Sequence, residues 1–256
     1  MLTETNFFAQ EKVKSARHFA ELIGAIYGEE KLHEFLGTYC YLRNLDNLND
    51  NGGGNAEVKS QLEAEINKLH GLNGTGGSSS FFGRLSDLYG HGILEYFIAS
   101  VEGFLIDNEM MRNRAPLSCS ELKERNKKAF LPGFQITSLI LFGRELESGE
   151  EFERMGDTYL RYDALVDIAE DFPHHLYLFP REELSQFSAH GVLKVRPFYE
   201  SCKRNALRAI LGNSMGIFHT NTPLWFKTAF SAYFSSRYFK LANHEVDYKP
   251  EVYISL

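Results

Sequence analysis

The sequence predicts an all-α protein that forms one helical domain over residues 1–256. Apolar residues recur at helical spacing in eight segments, whereas the alternation typical of strands and the spacing of β-α-β units are missing. The predicted helices are Phe7–Ile26, Leu32–Leu48, Gly92–Met111, Ser118–Leu141, Glu150–Asp171, Arg181–Phe187, Pro197–Leu211 and Leu224–Leu241. A chain of 256 residues is long enough to bury a large apolar core.

Local signals mark where several of these helices begin and end. Gly28 separates the first two, Ser118 and Glu121 form a capping box, and Pro132-Gly133 predicts a kink. The run Gly212–Gly216 matches the G-x-S-x-G pattern of serine hydrolases, but a strand must precede that serine and RNALRAIL is helical. We therefore interpret this run as a helix end followed by a turn.

A low-complexity region interrupts the pattern between residues 51 and 80. The runs NGGGN at 51–55 and NGTGGSSS at 73–80 flank a short helical segment, Glu57–Leu69. Glycine and serine runs are typical of flexible linkers. This region is predicted to be a flexible insertion within the single domain, not a domain boundary.

Composition and charge exclude several classes of protein. The chain carries 34 acidic and 27 basic residues, a net charge of −7, which is the wrong sign for a nucleic-acid partner. The three cysteines are widely spaced and indicate neither disulfides nor a zinc site, and no dinucleotide or phosphate-loop fingerprint is present. Without a signal peptide or a transmembrane run, the expected protein is soluble, cytoplasmic, and a monomer or homodimer.

Two predicted helices carry aspartates at intervals of four residues. Asp46 and Asp50 lie on one helix face, and Asp163, Asp167 and Asp171 lie on another. Solvent-exposed helix faces are the alternative interpretation, but the second set lies among apolar residues, which indicates a core helix. Because like charges at this spacing repel, they call for a divalent cation such as Mg²⁺ and should raise the proton affinity of at least one carboxylate without it.

The order and spacing of these residues resemble the squalene and phytoene synthases over about residues 6–190. Tyr39, Arg43, Asp46 and Asp50 resemble the first Asp-rich motif of that family, and the run Asp163–Asp171 resembles the second. Further matches are Phe19 of the N-terminal motif, Glu102, Gly103 and Asp107 of the E-G-x-x-x-D segment, the helix glycine Gly156, and Pro180. The resemblance implies an isoprenoid-synthase helical bundle with the two Asp-rich helices facing one another.

The sequence also departs from that family at active-site positions. His18 replaces a serine, Leu160 a glutamine and Asp163 an asparagine of the family motifs, and His175-Leu176 replaces Gly-Arg. Val166 replaces an arginine, so two diphosphate-binding arginines are missing. Because cations hold the phosphates, their loss favours one diphosphate substrate over two.

The resemblance implies an enzyme that ionises an isoprenyl diphosphate to an allylic carbocation. Mg²⁺ would be bound by Asp46, Asp50, Asp163, Asp167 and Asp171. The candidate substrate-binding residues are His18, Phe19, Tyr39, Arg43, Phe104, Lys127, Phe134, Tyr159, Arg237 and Tyr238. Lys127 and its neighbour Lys128 could instead face solvent, and a lone Arg-Tyr pair such as 237–238 is common.

Four functions remain open at this point. The first is a class I terpene synthase that cyclises or deprotonates the cation; the second is a prenyltransferase that moves the isoprenyl group to a small acceptor. The third is head-to-head condensation, for which nothing in the chain suggests the NADPH site of the reductive step. The fourth is a non-enzymatic binding or scaffold protein, against which the presence of both Asp clusters argues.

Overall fold

The structure is a computed structural model that describes residues 14–72, 80–245 and 251–254, without the side chains of residues 14–16, 18 and 251. The described part is mostly helical, in agreement with the predicted all-α class. Its α-helices are α1 Lys14–Tyr27, α2 Glu29–Gly52, α3 Ala56–Leu72, α4 Phe81–Tyr89, α5 Gly92–Asn113, α6 Cys119–Phe142, α7 Glu150–Val166, α8 Ile168–Asp171, α9 Arg181–Gln186, α10 Val195–Asn213 and α11 Leu224–Ala242. Short 3₁₀ turns cover Phe172–His174 and Gly216–His219.

A small antiparallel sheet, which the sequence did not predict, lies between α9 and α10. Its strands are β1 Ser188–Ala189, β2 Val192–Lys194 and β3 Glu251–Tyr253, in the order β1-β2-β3. His190 and Gly191 connect β1 to β2 with φ angles of 54° and 76°. Two consecutive residues with positive φ form the tight turn that suits a two-residue hairpin. Strands of two or three residues are too short to show an alternating pattern, which is why the sequence did not reveal them.

Four long helices form the centre of the molecule, and their contacts fix their directions. The Asn108 amide Nδ2 on α5 donates to Asn49 Oδ1 on α2 at 3.1 Å, and Tyr41 on α2 meets Phe97 on α5 at a ring distance of 5.7 Å, so α2 and α5 run parallel. The α6 helix runs antiparallel to α5, because the Asp107–Arg125 and Glu102–Lys128 pairs join them in reversed order. Helices α2 and α5 therefore point one way and α6 points the opposite way.

The fourth helix of this group, α7, also packs antiparallel to α6. Phe134 contacts Phe152 at a ring distance of 5.2 Å, while Phe130 contacts Tyr159 at 6.0 Å. A Cβ atom on Gly156 would lie 2.4 Å from the Phe130 ring, so the glycine permits this close approach. As a result α2, α5 and α7 share one direction, and α6 opposes them.

The predicted helix boundaries agree with the structure at several signals. Gly28, with φ 85°, separates α1 from α2, and the Ser118–Glu121 capping box begins α6. The helix α6 continues through Pro132 to Phe142. The predicted helix Glu150–Asp171 is instead divided at Asp167, whose φ and ψ of −96° and 5° end α7 before α8 begins.

Within the region 51–80, the predicted helical segment Glu57–Leu69 corresponds to α3, Ala56–Leu72. Helix α3 buries Val58, Leu62 and Leu69 and packs along α5 as part of the core. Residues 73–79 lie outside the described residues. The glycine run before α3 is a specific tight turn, because a Cβ atom on Gly54 would lie 2.5 Å from the Arg112 backbone nitrogen.

Replacing Gly54 should therefore destabilise the fold. Gly54 has a φ of 80°, which disfavours any L side chain, and Gly54→Ala also places a methyl group against the α5 backbone. We expect the free energy of unfolding to fall by more than about 1 kcal/mol in urea denaturation.

The matched control is Gly212→Ala near the end of α10, where an added Cβ atom meets no atom within 4 Å. This substitution should be neutral, or stabilising by up to about 1 kcal/mol through helix propensity. Equal stability of the Gly54→Ala protein and the wild type would show that the turn is not tightly packed.

Candidate functional site

The four central helices, together with α8 and α11, enclose a cavity of about 860 Å³. Its wall contains seven acidic and five basic side chains as well as apolar and aromatic ones. This volume lies within the range of small-molecule binding pockets. The cavity is therefore the candidate functional site.

The cavity brings together all five aspartates that the sequence singled out. Asp46 and Asp50 come from α2, Asp163 from α7, Asp167 from the break after α7, and Asp171 from α8. The break does not disturb their spacing, because the Asp167 amide donates to the Asp163 carbonyl and the Asp171 amide donates to the Asp167 carbonyl, each at 2.9 Å. The two acidic sets line one cavity from separate helices.

The cavity has a charged end and an apolar end. Along α2, α5 and α7, apolar or aromatic lining residues come before the acids: Tyr39 and Leu42 before Asp46 and Asp50, Phe104 before Asp107, and Tyr159 and Leu160 before Asp163. Along α6 the order is reversed, because the charged Arg125 and Lys128 come before Ala129 and Gly133. Because α6 runs opposite to the other three, all four changes have the same direction in space. At 1.5 Å per residue, Tyr39 lies about 10 Å along the helix axis from Asp46. Apolar Val166, Leu176 and Leu178 also line the wall near the acids.

Two of the aspartates have strongly raised pKa values. Burial raises the pKa of Asp163 to about 7, although the neighbouring Arg237 lowers it in part. Burial also raises the pKa of Asp171 to about 8, and the carboxylates of Asp167 and Asp50 raise it further. The repulsion expected from the sequence is present, but loss of water is the larger cause. At neutral pH these two carboxyls are therefore partly protonated in the folded protein, which lowers the negative charge of the cavity.

Three basic side chains of the cavity, Arg43, Arg125 and Lys128, are paired with acids. Arg43 donates from Nη1 to Asp46 within α2. Arg125 on α6 binds both oxygens of Asp107 on α5, and Lys128 binds Glu102 at 2.6 Å. The Arg125–Asp107 and Lys128–Glu102 pairs connect α5 to α6 at the charged end of the cavity.

The guanidinium of Arg237 on α11 lies among tyrosine rings. Its central carbon is 4.3 Å from the ring centre of Tyr233, 5.0 Å from that of Tyr162 and 5.7 Å from that of Tyr159. It donates to the Tyr233 hydroxyl, while its buried Nε has no partner among the described residues. Such a cage fixes the cation beside Asp163.

The aromatic wall offers ring faces without an anionic oxygen. Burial raises the pKa values of Tyr39, Tyr159 and Tyr162, so their phenols stay protonated at neutral pH. A neutral ring face stabilises a cation electrostatically. These side chains can surround a positively charged intermediate without presenting a phenolate nucleophile to it.

The structure places several predicted substrate-binding residues away from the cavity. Phe19 packs against Phe35 and Phe226, and Phe134 packs among Phe130, Phe152 and Phe230. Tyr238 contacts Phe239, and Lys127 is exposed and pairs with Glu124 at 3.5 Å. His18 lies on α1, and its side chain is outside the described residues. Tyr39, Arg43, Phe104, Tyr159 and Arg237 do line the cavity.

Five further charged or aromatic lining residues were not predicted to bind the substrate: Asp107, Arg125, Tyr162, Glu170 and Lys240. Lys128, which the sequence offered together with Lys127, also lines the cavity. For Lys128 a signal existed, since it lies three positions from Arg125 and five from Gly133 on a predicted helix. Choosing Lys128 over Lys127 nevertheless required knowing which face of α6 meets α5.

The carboxylates suit magnesium in their chemistry. Within the described residues no three His, Cys, Asp or Glu side chains form a group that could hold a metal ion. Magnesium usually takes only one or two carboxylates and completes its shell with water and substrate phosphates. An ion shared with a substrate in this way would need only one or two of the acids that line the cavity.

Comparisons with known proteins found no relative of this chain: no family model, curated protein or solved structure matches it. Over the described ranges, every helix is too short or too polar to cross a bilayer. The isoprenoid-synthase fold stays a prediction based on the motifs.

The raised pKa values predict how stability depends on pH in the presence of a chelator. Because Asp163 and Asp171 have folded-state pKa values of about 7 and about 8 against an ordinary 3.8, the folded protein binds more protons than the unfolded chain between these limits. These two groups favour folding below the lower limit, and that contribution is lost as pH rises through the folded-state values.

Asp171→Asn removes one ionisation and should stabilise the protein at about pH 9 by at least about 1 kcal/mol, with little effect at about pH 4. Urea denaturation at both pH values measures the difference. Glu150→Gln, at an exposed position of α7, is the control for loss of one charge. A pH-independent effect of Asp171→Asn would contradict the burial of this carboxylate.

Proposed function

We propose that the protein is a Mg²⁺-dependent enzyme that ionises an isoprenyl diphosphate, and that it acts as a class I terpene synthase. The observation that carries the proposal is the single cavity in which five aspartates from separate helices occupy one end and apolar side chains the other. A diphosphate joined to a hydrocarbon tail has the same division of charge along its length.

The charged end would bind the leaving group. Mg²⁺ held by Asp46, Asp50, Asp163, Asp167 and Asp171 would supply positive charge to the diphosphate oxygens as the carbon–oxygen bond breaks. Arg43 and Arg237 add charge-assisted hydrogen bonds from opposite sides of the cavity. Because the pocket has more acids than bases, the anion would be bound poorly without the metal ion.

The apolar end would hold the tail and the cation that ionisation leaves. Tyr39, Phe104 and Tyr159 supply ring faces there, and Leu42 and Leu160 supply aliphatic surface. Exclusion of water from this end prevents capture of the cation as an alcohol. The cation would then cyclise or lose a proton.

One diphosphate suits the cavity better than two. Val166 and Leu176, which stand at positions of family arginines, line the wall with apolar side chains. Transfer of the isoprenyl group to a small acceptor begins with the same ionisation step. Product analysis distinguishes it from the terpene synthase reaction, because the product then contains the acceptor. Head-to-head condensation would require a second anionic site.

The proposal predicts diphosphate release that depends on Mg²⁺ and on both acidic sets. Purified protein is incubated with geranyl, farnesyl or geranylgeranyl diphosphate, and products are identified by gas chromatography and mass spectrometry. Asp46→Asn and Asp167→Asn should each reduce turnover about a hundredfold or more, since charge stabilisation at the leaving group is the main catalytic contribution.

Glu150→Gln is the control, because its side chain is 88% exposed at the start of α7. Near wild-type turnover in both aspartate variants would reject the two-set site. Tight binding of an isoprenyl diphosphate, with no release of its diphosphate group, would favour the non-enzymatic binding protein. NADPH-dependent formation of a head-to-head product would favour the condensation reaction.

A second prediction tests which end of the cavity holds the tail. Gly133 lines the apolar end, and an added Cβ atom there meets no other atom within 4 Å. Gly133→Leu should therefore fill this end without disturbing α6, lowering turnover of geranylgeranyl diphosphate relative to geranyl diphosphate on the order of tenfold.

The control substitution is Gly212→Leu on α10, which lies outside the cavity and also has open space around its Cβ position. It should leave the ratio of the two turnover rates unchanged. An equal loss with both substrates in Gly133→Leu would show that the tail does not reach this position.

A further inference from the structure

A buried guanidinium that the sequence did not reveal lies at the charged end of the cavity. Arg125 is 8% exposed, and its partner Asp107 is 5% exposed. Arg125 donates from Nε to Asp107 Oδ1 at 2.8 Å and from Nη2 to Oδ2 at 2.5 Å. Two parallel hydrogen bonds from a planar fork fix the orientation of the cation.

Arg125 is close enough to both acidic sets to interact with them electrostatically. Its guanidinium interacts electrostatically with Asp46 on α2 and with Asp171 on α8. Arg125 therefore lies within electrostatic range of both acidic sets, at the end of the cavity where the proposed leaving group would bind. Arg43 pairs with Asp46 of its own helix, and Lys128, which like Arg125 pairs with an acid of α5, is more exposed.

The bidentate pair leaves one nitrogen of Arg125 available. Its Nη1 is not engaged in the two hydrogen bonds to Asp107, and Arg125 lines the cavity. A guanidinium that is already oriented loses little freedom when it binds an anion. The arrangement thus presents two N–H donors to a ligand in the cavity.

A purely structural role is a poor explanation for this pair. Burying two charges costs so much hydration that apolar residues of similar size often stabilise a core equally well or better. The pair also lines a cavity instead of filling a packed core. Another partly buried pair, Arg161 with Glu183, lies outside the cavity and serves for comparison.

We propose that Arg125 is an anion-binding residue of the cavity, which Asp107 orients so that Nη1 donates to the phosphate oxygens of a diphosphate. The assignment deepens the proposed function, on which it rests for the identity of the ligand. Arg125 would supply positive charge to the same cavity in which the apolar Val166 and Leu176 occupy the positions of family arginines.

Isothermal titration calorimetry with inorganic diphosphate, with and without Mg²⁺, tests the assignment independently of turnover. The Asp107→Asn/Arg125→Gln double variant removes both charges together and so avoids an unpaired buried carboxylate. We expect its affinity for diphosphate in the presence of Mg²⁺ to fall at least about tenfold. The affinity for Mg²⁺ alone should not fall, because no metal-binding aspartate is changed.

Arg125→Lys keeps the charge but loses the fork, so it should bind diphosphate more weakly than the wild type and more tightly than the double variant. The matched control, Arg161→Gln/Glu183→Gln, removes a pair outside the cavity and should leave diphosphate affinity unchanged. Circular dichroism establishes that each variant is folded, and Arg125→Lys alone decides the question if the double variant is unfolded.

The assignment is overturned if diphosphate affinity in the folded Arg125 variants stays within about twofold of wild type. It is also overturned if the wild type binds no diphosphate, or if Mg²⁺ and diphosphate affinities fall together. If diphosphate binding depends on Arg125 while isoprenyl diphosphates are not ionised, the proposed reaction fails and the anion site stands.

Discussion

The ion pair between Asp107 and Arg125 joins α5 and α6 at the charged end of the cavity. The pair is buried, bidentate and continued one turn away by Glu102 and Lys128. Between these contacts, a Cβ atom on Gly103 would lie 3.5 Å from the α6 backbone, so the two helices approach closely. This antiparallel register places the charged start of α6 beside the acidic ends of its three neighbours. The division of the cavity into a charged and an apolar end follows from it.

Placing many carboxylates in one partly dehydrated cavity has an electrostatic consequence. Burial raises the pKa of Asp163 to about 7 and that of Asp171 to about 8, because a buried charge loses hydration that the nearby cations only partly replace. A divalent cation bound between the acidic walls would relieve this repulsion, and an anion would then bind to the cation. The same low dielectric that disfavours closely spaced like charges strengthens each interaction between opposite charges.

Much of the helical framework was predictable, and the exceptions have physical causes. The Ser118–Glu121 capping box and the break at Gly28 are local signals, so they appear where the sequence indicates them. The β1-β2 hairpin was missed because its strands are too short for a periodic pattern. The glycine run before α3 suggested flexibility, yet Gly54 is small because the α5 backbone passes close to it. Composition cannot distinguish a mobile glycine from one required by packing.

The sequence by itself determined the helices and the intervals between the aspartates, because helix periodicity and spacing depend on residues close together in the chain. Only the tertiary structure decided which side chains share the cavity. Lys128 and not Lys127 faces it, Phe134 belongs to the aromatic core, and Arg125 lies within electrostatic range of acids contributed by two other elements. These outcomes depend on how each helix is rotated against its neighbours. That rotation is set by contacts between residues far apart in the chain, which a local pattern does not record.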